Sequence, residues 1–315
     1  MIKYHAKSTI KVLYITGYGH SGSTFIDTAL GNQVDTISVG ELSNMYQYVW
    51  EGSKLCGCGQ KASECFFWQD VKKNWRRRIG KEFFHGYFKR QQAYEKWRDP
   101  FNWYRLTSEN KRQSFDFKSH IKQTHALYEA IHEVSGKSLI IDSSKIPTQA
   151  MFLSMVKGLD LSLLHLVRDA RGICWSSIKK AERVAKRQVS VGKTWITLLR
   201  AIAGWSLANL ESELIARRMP KGHTMLMRYE DFVINPDKML EKLGVFTKRN
   251  FESVIKKVHK REILDKGHAI AGNRLRKKVA IRLQPDFEWK EKMPRRYKIL
   301  CHAMTALLLS RYGYI

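Results

Sequence analysis

Short runs of branched apolar residues alternate along the chain with helical patterns. The runs lie at 11–16, 138–141, 161–167 and 224–227, and each is followed by a polar or glycine-bearing turn. Helical periodicity fills much of the space between them, as at 123–134 and 195–217. Continuous apolar runs of this length are typical of parallel strands buried on both faces. The pattern predicts an α/β fold with a P-loop-like central parallel sheet flanked by helices, in a single domain over residues 1–315.

The stretch from Asp70 to Arg112 interrupts this alternation with aromatic residues set among many lysines and arginines. The aromatic residues are Trp75, Phe83, Phe84, Tyr87, Phe88, Tyr94, Trp97, Phe101, Trp103 and Tyr104. Such a mixture occurs at nucleic-acid and membrane surfaces, but it also fits helices that pack aromatic side chains inward. We favour the second interpretation and expect a helical insertion over about 70–130, part of which can cap a substrate cleft.

The first apolar run leads into a glycine-rich turn, Gly17-Tyr18-Gly19-His20-Ser21-Gly22-Ser23-Thr24, ahead of a predicted helix at about 23–30. Such a turn aligns backbone N–H groups at a helix N-terminus, where the helix dipole favours an anion. The spacing from Gly17 to Gly22 is that of a nucleotide-triphosphate P-loop, but Ser23 stands where such a loop has lysine. The turn therefore predicts a nucleotide with a different phosphate arrangement.

The other predicted strands also end in polar sequences. These are Asp142-Ser143-Ser144-Lys145-Ile146-Pro147, Arg168-Asp169-Ala170-Arg171-Gly172 and Arg228-Tyr229-Glu230-Asp231-Phe232. Each alone fits a helix cap or a surface ion pair. Ligands of open parallel sheets, however, bind at the carboxyl ends of the strands. Together, the strand ends predict a site for a nucleotide with several phosphates.

The order of these motifs resembles that of the sulfotransferases that use 3′-phosphoadenosine 5′-phosphosulfate (PAPS), particularly the bacterial branch similar to tyrosylprotein and heparan sulfotransferases. The resemblance runs from about Ile10 to Tyr314. It implies that the 5′-phosphosulfate is held by Gly19, His20, Ser21, Gly22, Ser23 and Thr24. It also implies that Arg168 and Ser176, eight positions later, bind the 3′-phosphate. A late His268-x-x-x-Gly272-Asn273-x-x-Arg276 segment resembles the family's loop that closes over the nucleotide.

The resemblance further implies in-line sulfuryl transfer to a hydroxyl or amine, with PAP as the product. Glu41 matches the family's general base, although a helix N-terminal carboxylate is the alternative. Lys145, in Lys145-Ile146-Pro147, matches the lysine that neutralises the leaving phosphate and can pair with Glu41. His20 stands where many members have lysine or arginine, so it acts as an imidazolium, acts as a neutral N–H donor, or only shapes the turn. Protein cations replace the Mg²⁺ of P-loop enzymes, so no metal is expected in this site.

The net charge limits the kinds of binding partner, and the hydropathy of the chain bears on its location in the cell. The chain has 56 Lys and Arg against 29 Asp and Glu, a net charge of +27. This excess favours an anionic partner such as a nucleotide, a nucleic acid, an acidic glycan or a membrane surface. We expect a small-molecule or glycan acceptor and no nucleic acid, and leave peripheral membrane contact and oligomeric state open. The apolar stretch 299–309 is too short to span a bilayer, so it predicts a packed terminal helix. No secretory leader is evident, and we expect a cytoplasmic protein.

The cysteines allow two interpretations. Their odd number does not suggest a disulfide framework and fits a reducing compartment; they are Cys56, Cys58, Cys65, Cys174 and Cys301. Cys56-Gly57-Cys58 with Cys65 could bind zinc, but a structural zinc takes four ligands and no fourth is obvious nearby. The sequence favours a glycine-rich turn with small buried cysteines, and metal binding is the alternative.

The same sequence allows other functions for the chain and other roles for single residues. A P-loop kinase or NTPase would need Asp142 for Mg²⁺, and Ser23 in place of lysine disfavours it. A basic module for nucleic acid or membranes would leave the strand-end motifs unexplained. Trp205 and His165 are interpreted as packed core residues rather than as an adenine stacker and a catalyst.

Overall fold

The computed structural model describes residues 9–52, 54–96, 100–184, 191–260, 262–272 and 286–315, and the structural statements below concern these residues. The strands are β1 (Ile10–Gly17), β2 (Thr36–Gly40), β3 (Leu139–Lys145), β4 (Leu159–Val167) and β5 (Thr224–Arg228). The helices are α1 (Ser23–Gly31), α2 (Phe66–Ile79), α3 (Lys81–Glu95), α4 (Pro100–Thr107), α5 (Glu109–Arg112), α6 (Phe115–Ser135), α7 (Pro147–Leu153), α8 (Ala170–Val184), α9 (Val191–Ala216), α10 (Tyr229–Ile234), α11 (Pro236–Thr247), α12 (Glu252–His259), α13 (Trp289–Lys292) and α14 (Arg295–Arg311). A 3₁₀ turn, Leu42–Asn44, and a π-helical turn, Tyr46–Trp50, follow β2.

The strands form one parallel sheet with the order β2-β3-β1-β4-β5. β1 lies at its centre, with Thr16 beside Lys145 of β3 and Gly17 beside Leu166 of β4. The carboxyl ends of these three strands therefore meet at one edge. The predicted α/β fold with a parallel sheet flanked by helices is confirmed.

β1 buries both of its faces, which explains its continuous apolar sequence. Val12 and Tyr14 pack into one hydrophobic cluster, whereas Leu13 and Ile15 pack into a second on the opposite face. This alternation follows from the two-residue period of a strand. All four side chains are fully buried, and each contributes on the order of 1.5–3 kcal/mol of hydrophobic stabilisation.

Helices α2 to α6 form the predicted insertion and pack over the first of these faces. Trp75, Tyr87 and Tyr94 are buried in the same cluster as Val12 and Tyr14. The indole N–H of Trp75 donates to the Gln123 carbonyl at 2.8 Å, while its neighbours Arg76 and Arg77 are exposed. The packed interpretation of the aromatic residues is confirmed for these three. Trp97 and the side chains of Phe83, Phe84 and Phe101 lie outside the described residues.

The sequence pattern missed β2 because half of its side chains are polar. Thr36 donates to the Leu30 carbonyl at 2.6 Å, and Ser38 donates to Asp27 Oδ1 at 2.5 Å. Both acceptors belong to α1, so the polar positions of β2 are buried and satisfied by the helix that covers them. Only Ile37 and Val39 are apolar, which is too few for a recognisable strand pattern.

The predicted terminal helix is α14, whose Cys301, Leu308 and Leu309 are buried. Within the described ranges, no helix combines the length and the apolar character that a membrane span requires.

The close pairing of β1 with β4 can be tested at Gly17. Its φ is +138°, and an added Cβ would lie 2.3 Å from the Leu166 carbonyl oxygen. We expect Gly17→Ala to lower the free energy of unfolding by about 3 kcal/mol, because neither backbone can move without breaking the sheet. The measurement is urea unfolding at equilibrium.

The matched control is Gly136→Ala at the C-terminus of α6, where φ is +62° and an added Cβ has no atom within 4 Å. This variant carries only the cost of the left-handed backbone, about 1 kcal/mol. Equal losses in the two variants would contradict the steric argument.

Candidate active site

The glycine-rich turn joins β1 to α1 at the centre of the sheet edge. Gly22, the residue before α1, has a φ of +89°, and an added Cβ would lie 2.2 Å from the Tyr229 ring. Its carbonyl accepts a hydrogen bond from the Phe25 N–H at 2.9 Å, which starts the helix. The N-terminus of α1, the positive end of the helix dipole, therefore faces the turn.

Two features of the turn fit an anion. The Ser21 hydroxyl is buried and has no hydrogen-bond partner among the described residues. Buried hydroxyls in proteins are normally paired, so this group suits a ligand oxygen. An added Cβ on Gly19 would meet no atom within 4 Å, so the turn is open on that side. The residues present thus fit the 5′-phosphosulfate that the family resemblance implies here.

His20 lies in this turn with a left-handed backbone, at a φ of +68°. Burial, together with the nearby positive charges of Lys180, Arg168 and Lys145, lowers the pKa of His20 to about 4. Its imidazole is therefore neutral at pH 7. Of the two electrostatic roles expected for His20, the structure favours the neutral N–H donor.

Arg168 follows β4 and is held in place from several sides. Its guanidinium donates to the His20 carbonyl at 2.9 Å and to the Asp286 carbonyl at 2.9 Å. It also lies 3.1 Å from Asp286 Oδ2 and over the ring of Tyr229 at 4.7 Å. Burial raises the pKa of Asp286, but Arg168 and Lys179 more than offset this and hold it below its usual value. Arg168 is thus a fixed cation beside the glycine-rich turn.

Ser176 lies on the face of α8 that is close to Arg168. An added Cβ on Gly172 would lie 3.4 Å from Arg168 Nε, and Ser176 is one helical turn further along the same face. Gly272 has a φ of +95° and ends the described part of the late loop. Asn273 and Arg276 lie outside the described residues.

Glu41 and Lys145 form an ion pair beside the turn. Lys145 Nζ donates to Glu41 Oε1 at 2.5 Å and to the Ser143 carbonyl at 2.8 Å. Asn44 Nδ2 donates to the second carboxylate oxygen of Glu41 at 3.0 Å. The expected pairing of the two residues is present. Glu41 occupies the N-cap position of the 3₁₀ turn, which the alternative role as a helix N-terminal carboxylate also allows, but its side chain makes no cap hydrogen bond.

The position of Lys145 follows from an irregular end of β3. The β1–β3 register shifts between Tyr14 and Thr16, and Lys145 adopts a left-handed φ of +68°. The N–H of Ile146 donates to the Tyr14 hydroxyl at 3.0 Å, which fixes the backbone just after the lysine. Pro147 then starts α7.

A cavity of ≈ 350 Å³ is lined in part by Asn44, the residue that donates to the Glu41 carboxylate. It lies between the turns that follow β2 and helix α3 of the insertion. Its lining residues are mostly amides and hydroxyls around two aromatic rings: Ser43, Asn44, Tyr46, Gln47, Phe88, Lys89, Gln91 and Gln92. The insertion therefore contributes one wall of a cleft at the site.

Asp142 braces the end of β3. Its Oδ1 accepts from the Ser144 N–H at 2.9 Å, and its Oδ2 accepts from the Tyr128 hydroxyl at 2.8 Å. Burial raises the pKa of Asp142 to about 6. Both oxygens are engaged inside the protein, which disfavours the Mg²⁺ role that a kinase would require.

Trp205 and His165 are core residues, as expected. Trp205 is fully buried and donates to the Arg168 carbonyl at 2.9 Å, which places it behind the site rather than in it. His165 Nε2 lies 2.9 Å from Asn209 Oδ1, and burial lowers the pKa of His165 to about 4.

The cysteine turn differs from its sequence interpretation. Cys56 and Cys65 are buried, but Cys58 is exposed. The sequence did not reveal a fourth candidate metal ligand, which the structure shows to be His268. A ring nitrogen of His268 and the three cysteine sulfurs all lie within 4.8 Å of one another. His268 belongs to the late motif noted in the sequence, but it is 203 positions from Cys65, so no local spacing could connect them.

Comparisons with known proteins show which solved structures share this fold. No protein-family model matches the chain, and no curated protein matches it in sequence. The sulfotransferase domain of an olefin synthase from Synechococcus PCC 7002 superposes with a TM-score of 0.54 at 14% identity, covering 96% of each chain. A sulfotransferase domain of the curacin biosynthetic pathway gives 0.52 at 14% identity, covering 94% of this chain and 96% of that one. The sulfotransferase STF9 from Mycobacterium avium gives 0.52 at 10% identity, covering 97% and 77%. The chain therefore has the fold of these bacterial sulfotransferases.

The neutral state of His20 leads to a prediction for nucleotide binding. Since the pKa of His20 is about 4, its charge does not change between pH 6 and pH 8. We expect the PAP affinities of wild type and His20→Gln to change in parallel over this range, by calorimetric titration at pH 6, 7 and 8. Glutamine keeps an N–H donor and cannot become charged. A gain in affinity on acidification that only the wild type shows would mean that His20 binds as a cation.

Proposed function

We propose that this protein transfers a sulfuryl group from PAPS to a hydroxyl or amine of a small-molecule or glycan acceptor. The observation that carries the proposal is the Glu41–Lys145 pair, joined at 2.5 Å beside the anion-binding turn. It brings a carboxylate base and a cation to the sheet edge where Arg168 also lies. The sulfotransferase fold supports the same chemistry.

The nucleotide is proposed to bind across the ends of β1 and β4. The N–H groups and hydroxyls of Ser21, Ser23 and Thr24, with Gly19 and Gly22, would hold the 5′-phosphosulfate. Arg168 and Ser176 would hold the 3′-phosphate. Gly272, Asn273 and Arg276 are proposed to belong to the loop that covers the nucleotide. When bound, PAPS supplies the activated sulfuryl group.

Catalytic roles are proposed for Glu41, Lys145 and His20. Glu41 accepts the acceptor's proton as the new bond from the acceptor oxygen or nitrogen to sulfur forms and the bond from sulfur to the phosphate oxygen breaks. The electron pair of the broken bond stays on the phosphate, where Lys145 and the neutral N–H of His20 stabilise the growing charge. Lys145 pairs with Glu41 in the resting protein, so it must turn toward the phosphate during turnover. These roles require no metal in the active site.

The cavity beside Glu41 is proposed as the acceptor site. Asn44 both lines this cavity and donates to the Glu41 carboxylate, so an acceptor bound there lies next to the base. The cavity combines amide side chains with the rings of Tyr46 and Phe88, which are tilted by 59° with centroids 4.7 Å apart. This lining suits an acceptor that carries several hydroxyls. We also propose a cytoplasmic location, supported by the five cysteines, none of which forms a disulfide.

Nucleotide choice and the role of Arg168 are tested together by calorimetry. We expect PAP to bind without added Mg²⁺ and more tightly than ATP, because the site offers protein cations rather than a metal-binding carboxylate. Arg168→Ala should weaken PAP binding on the order of 10- to 100-fold, the loss expected for charge-assisted hydrogen bonds to a phosphate.

Arg171→Ala is the matched control, because this neighbouring guanidinium is held by both oxygens of Asp169, at 2.9 and 2.7 Å. It should change PAP affinity much less. A preference for ATP with Mg²⁺ would instead favour a nucleotide kinase. Equal losses in the two arginine variants would remove Arg168 from the 3′-phosphate site.

The role of Glu41 is tested by Glu41→Gln. Glutamine keeps the shape but cannot accept the proton, so turnover of PAPS with a panel of hydroxyl acceptors should fall by roughly 10²–10⁴-fold. PAP affinity should stay near that of the wild type. Near-normal turnover in the variant would show that Glu41 is not the base.

A further inference from the structure

Cys56, Cys58, Cys65 and His268 form a side-chain cluster that the proposed reaction does not use. Their three sulfurs and the ring nitrogen of His268 all lie within 4.8 Å of one another. We propose that these four residues bind one Zn²⁺ ion as a structural site. The site would join the segment before α2 to the late loop that contains His268.

Two of the distances between ligand atoms are close to those of tetrahedral zinc, and all four atoms lie within 4.8 Å of one another. Bonds of about 2.3 Å to sulfur and about 2.0 Å to nitrogen place neighbouring ligand atoms about 3.8 Å apart for two sulfurs and about 3.5 Å apart for sulfur and nitrogen. The Cys58 and Cys65 sulfurs are 3.7 Å apart, and Cys65 Sγ is 3.3 Å from His268 Nδ1. A disulfide requires about 2.05 Å, so the sulfurs are spaced as ligands rather than bonded.

The backbone around the cysteines is shaped to bring the two segments together. The Gly57 N–H donates to the Ala269 carbonyl at 2.9 Å. An added Cβ on Gly57 would lie 2.6 Å from the carbonyl oxygens of both Lys266 and Gly267. The residue between the first two cysteines must therefore be glycine for the histidine's loop to approach. The turn closes with the Cys56 N–H donating to the Gln60 carbonyl at 2.8 Å.

The imidazole of His268 is fixed in a ligating orientation. Its ring stacks on Phe67, with centroids 4.9 Å apart and an interplanar angle of 12°, and Phe66 packs edge-on against it at 4.8 Å. The indole N–H of Trp68 donates to the His268 carbonyl at 2.7 Å. All three aromatic residues begin α2, directly after the ligand Cys65. The same helix start thus places one ligand and orients another.

The donor set favours zinc. Three thiolates with one imidazole form the Cys₃His combination of structural zinc sites, and soft sulfur ligands disfavour Mg²⁺ and Ca²⁺. Four protein ligands leave no open position for a substrate, which indicates a structural rather than a catalytic ion. The ligands span 203 positions between Cys65 and His268, so one ion would close a very long loop.

This site would also hold the backbone of the candidate base. The N–H of Ile270, two residues after His268, donates to the Val39 carbonyl at 3.0 Å, and the Glu41 N–H donates to the Ile270 carbonyl at 2.9 Å. The ion would therefore anchor the strand-like contact that supports Glu41. The zinc proposal does not depend on the sulfuryl-transfer proposal, because neither ligand set nor geometry involves the nucleotide.

The test is the metal content of the full chain, purified without chelators or added metal and measured by plasma mass spectrometry. We expect about one zinc per chain. Cys58→Ser and His268→Ala should each lose the zinc and unfold at a lower temperature, and a chelator should lower the wild-type unfolding temperature in the same way. These readouts do not involve PAPS, so they can fail or succeed independently of the enzyme assay.

Cys301→Ser is the matched control. Cys301 and Cys174 are buried with their sulfurs 3.6 Å apart, but no histidine or third cysteine joins them in the described residues. This variant should keep its zinc, which separates metal binding from the mere proximity of thiols.

A second measurement covers the case in which the ligand variants fail to fold. His268→Cys preserves four ligands and should retain zinc, and wild-type protein reconstituted with Co²⁺ should show the visible absorption of a tetrahedral thiolate site. The proposal is overturned by wild-type protein without zinc, by a Cys58–Cys65 disulfide in thiol titration and peptide mapping, by iron in place of zinc, or by zinc that persists in Cys58→Ser.

Discussion

The site depends on the parallel pairing of β1 with β3 and β4, because this pairing brings three strand ends to one place. Gly17 allows the β1 backbone to reach the Leu166 carbonyl, and the chain can then turn directly into α1. The glycine-rich turn, Lys145 and Arg168 are far apart in sequence but adjacent at the sheet edge. Each depends on the register of the strand before it, so a shift in any of the three strands would separate the cations from the turn.

Positive charge predominates at this edge of the sheet. Burial, together with the positive side chains around the turn, lowers the pKa of His20 and keeps it neutral, and Arg168 is already bonded to carbonyl oxygens and to Asp286. A site built in this way gains from an incoming anion, because the anion reduces repulsion among cations that the fold holds together. Two carboxylates lie among these cations: Asp286 pairs with Arg168, and Glu41 pairs with Lys145. The Glu41 carboxylate and the Lys145 ammonium thus neutralise each other.

Much of this could be predicted from the sequence, and the failures have physical reasons. The strands β1, β3, β4 and β5 are recognisable because each contains a short run of apolar residues, which in β1, β3 and β4 is mostly buried. β2 was missed because Thr36 and Ser38 are satisfied by α1, which sequence periodicity cannot detect. The residues of the glycine-rich turn follow from local spacing, whereas the Glu41–Asn44 contact, the cavity beside it and the approach of His268 to the cysteines arise only from tertiary packing. The neutral charge of His20 likewise depends on burial and on neighbours distant in sequence.

The contact between Ile270 and Gly40 has a consequence for association between molecules. β2 is an edge strand of the sheet, and an edge strand offers unpaired backbone groups to any other extended chain. Ile270 pairs in parallel with the end of β2 and uses these groups within the same molecule. The late loop therefore protects the sheet from edge-to-edge pairing. Loss of that loop from its place would expose a template for aggregation at the same edge where the candidate base is held.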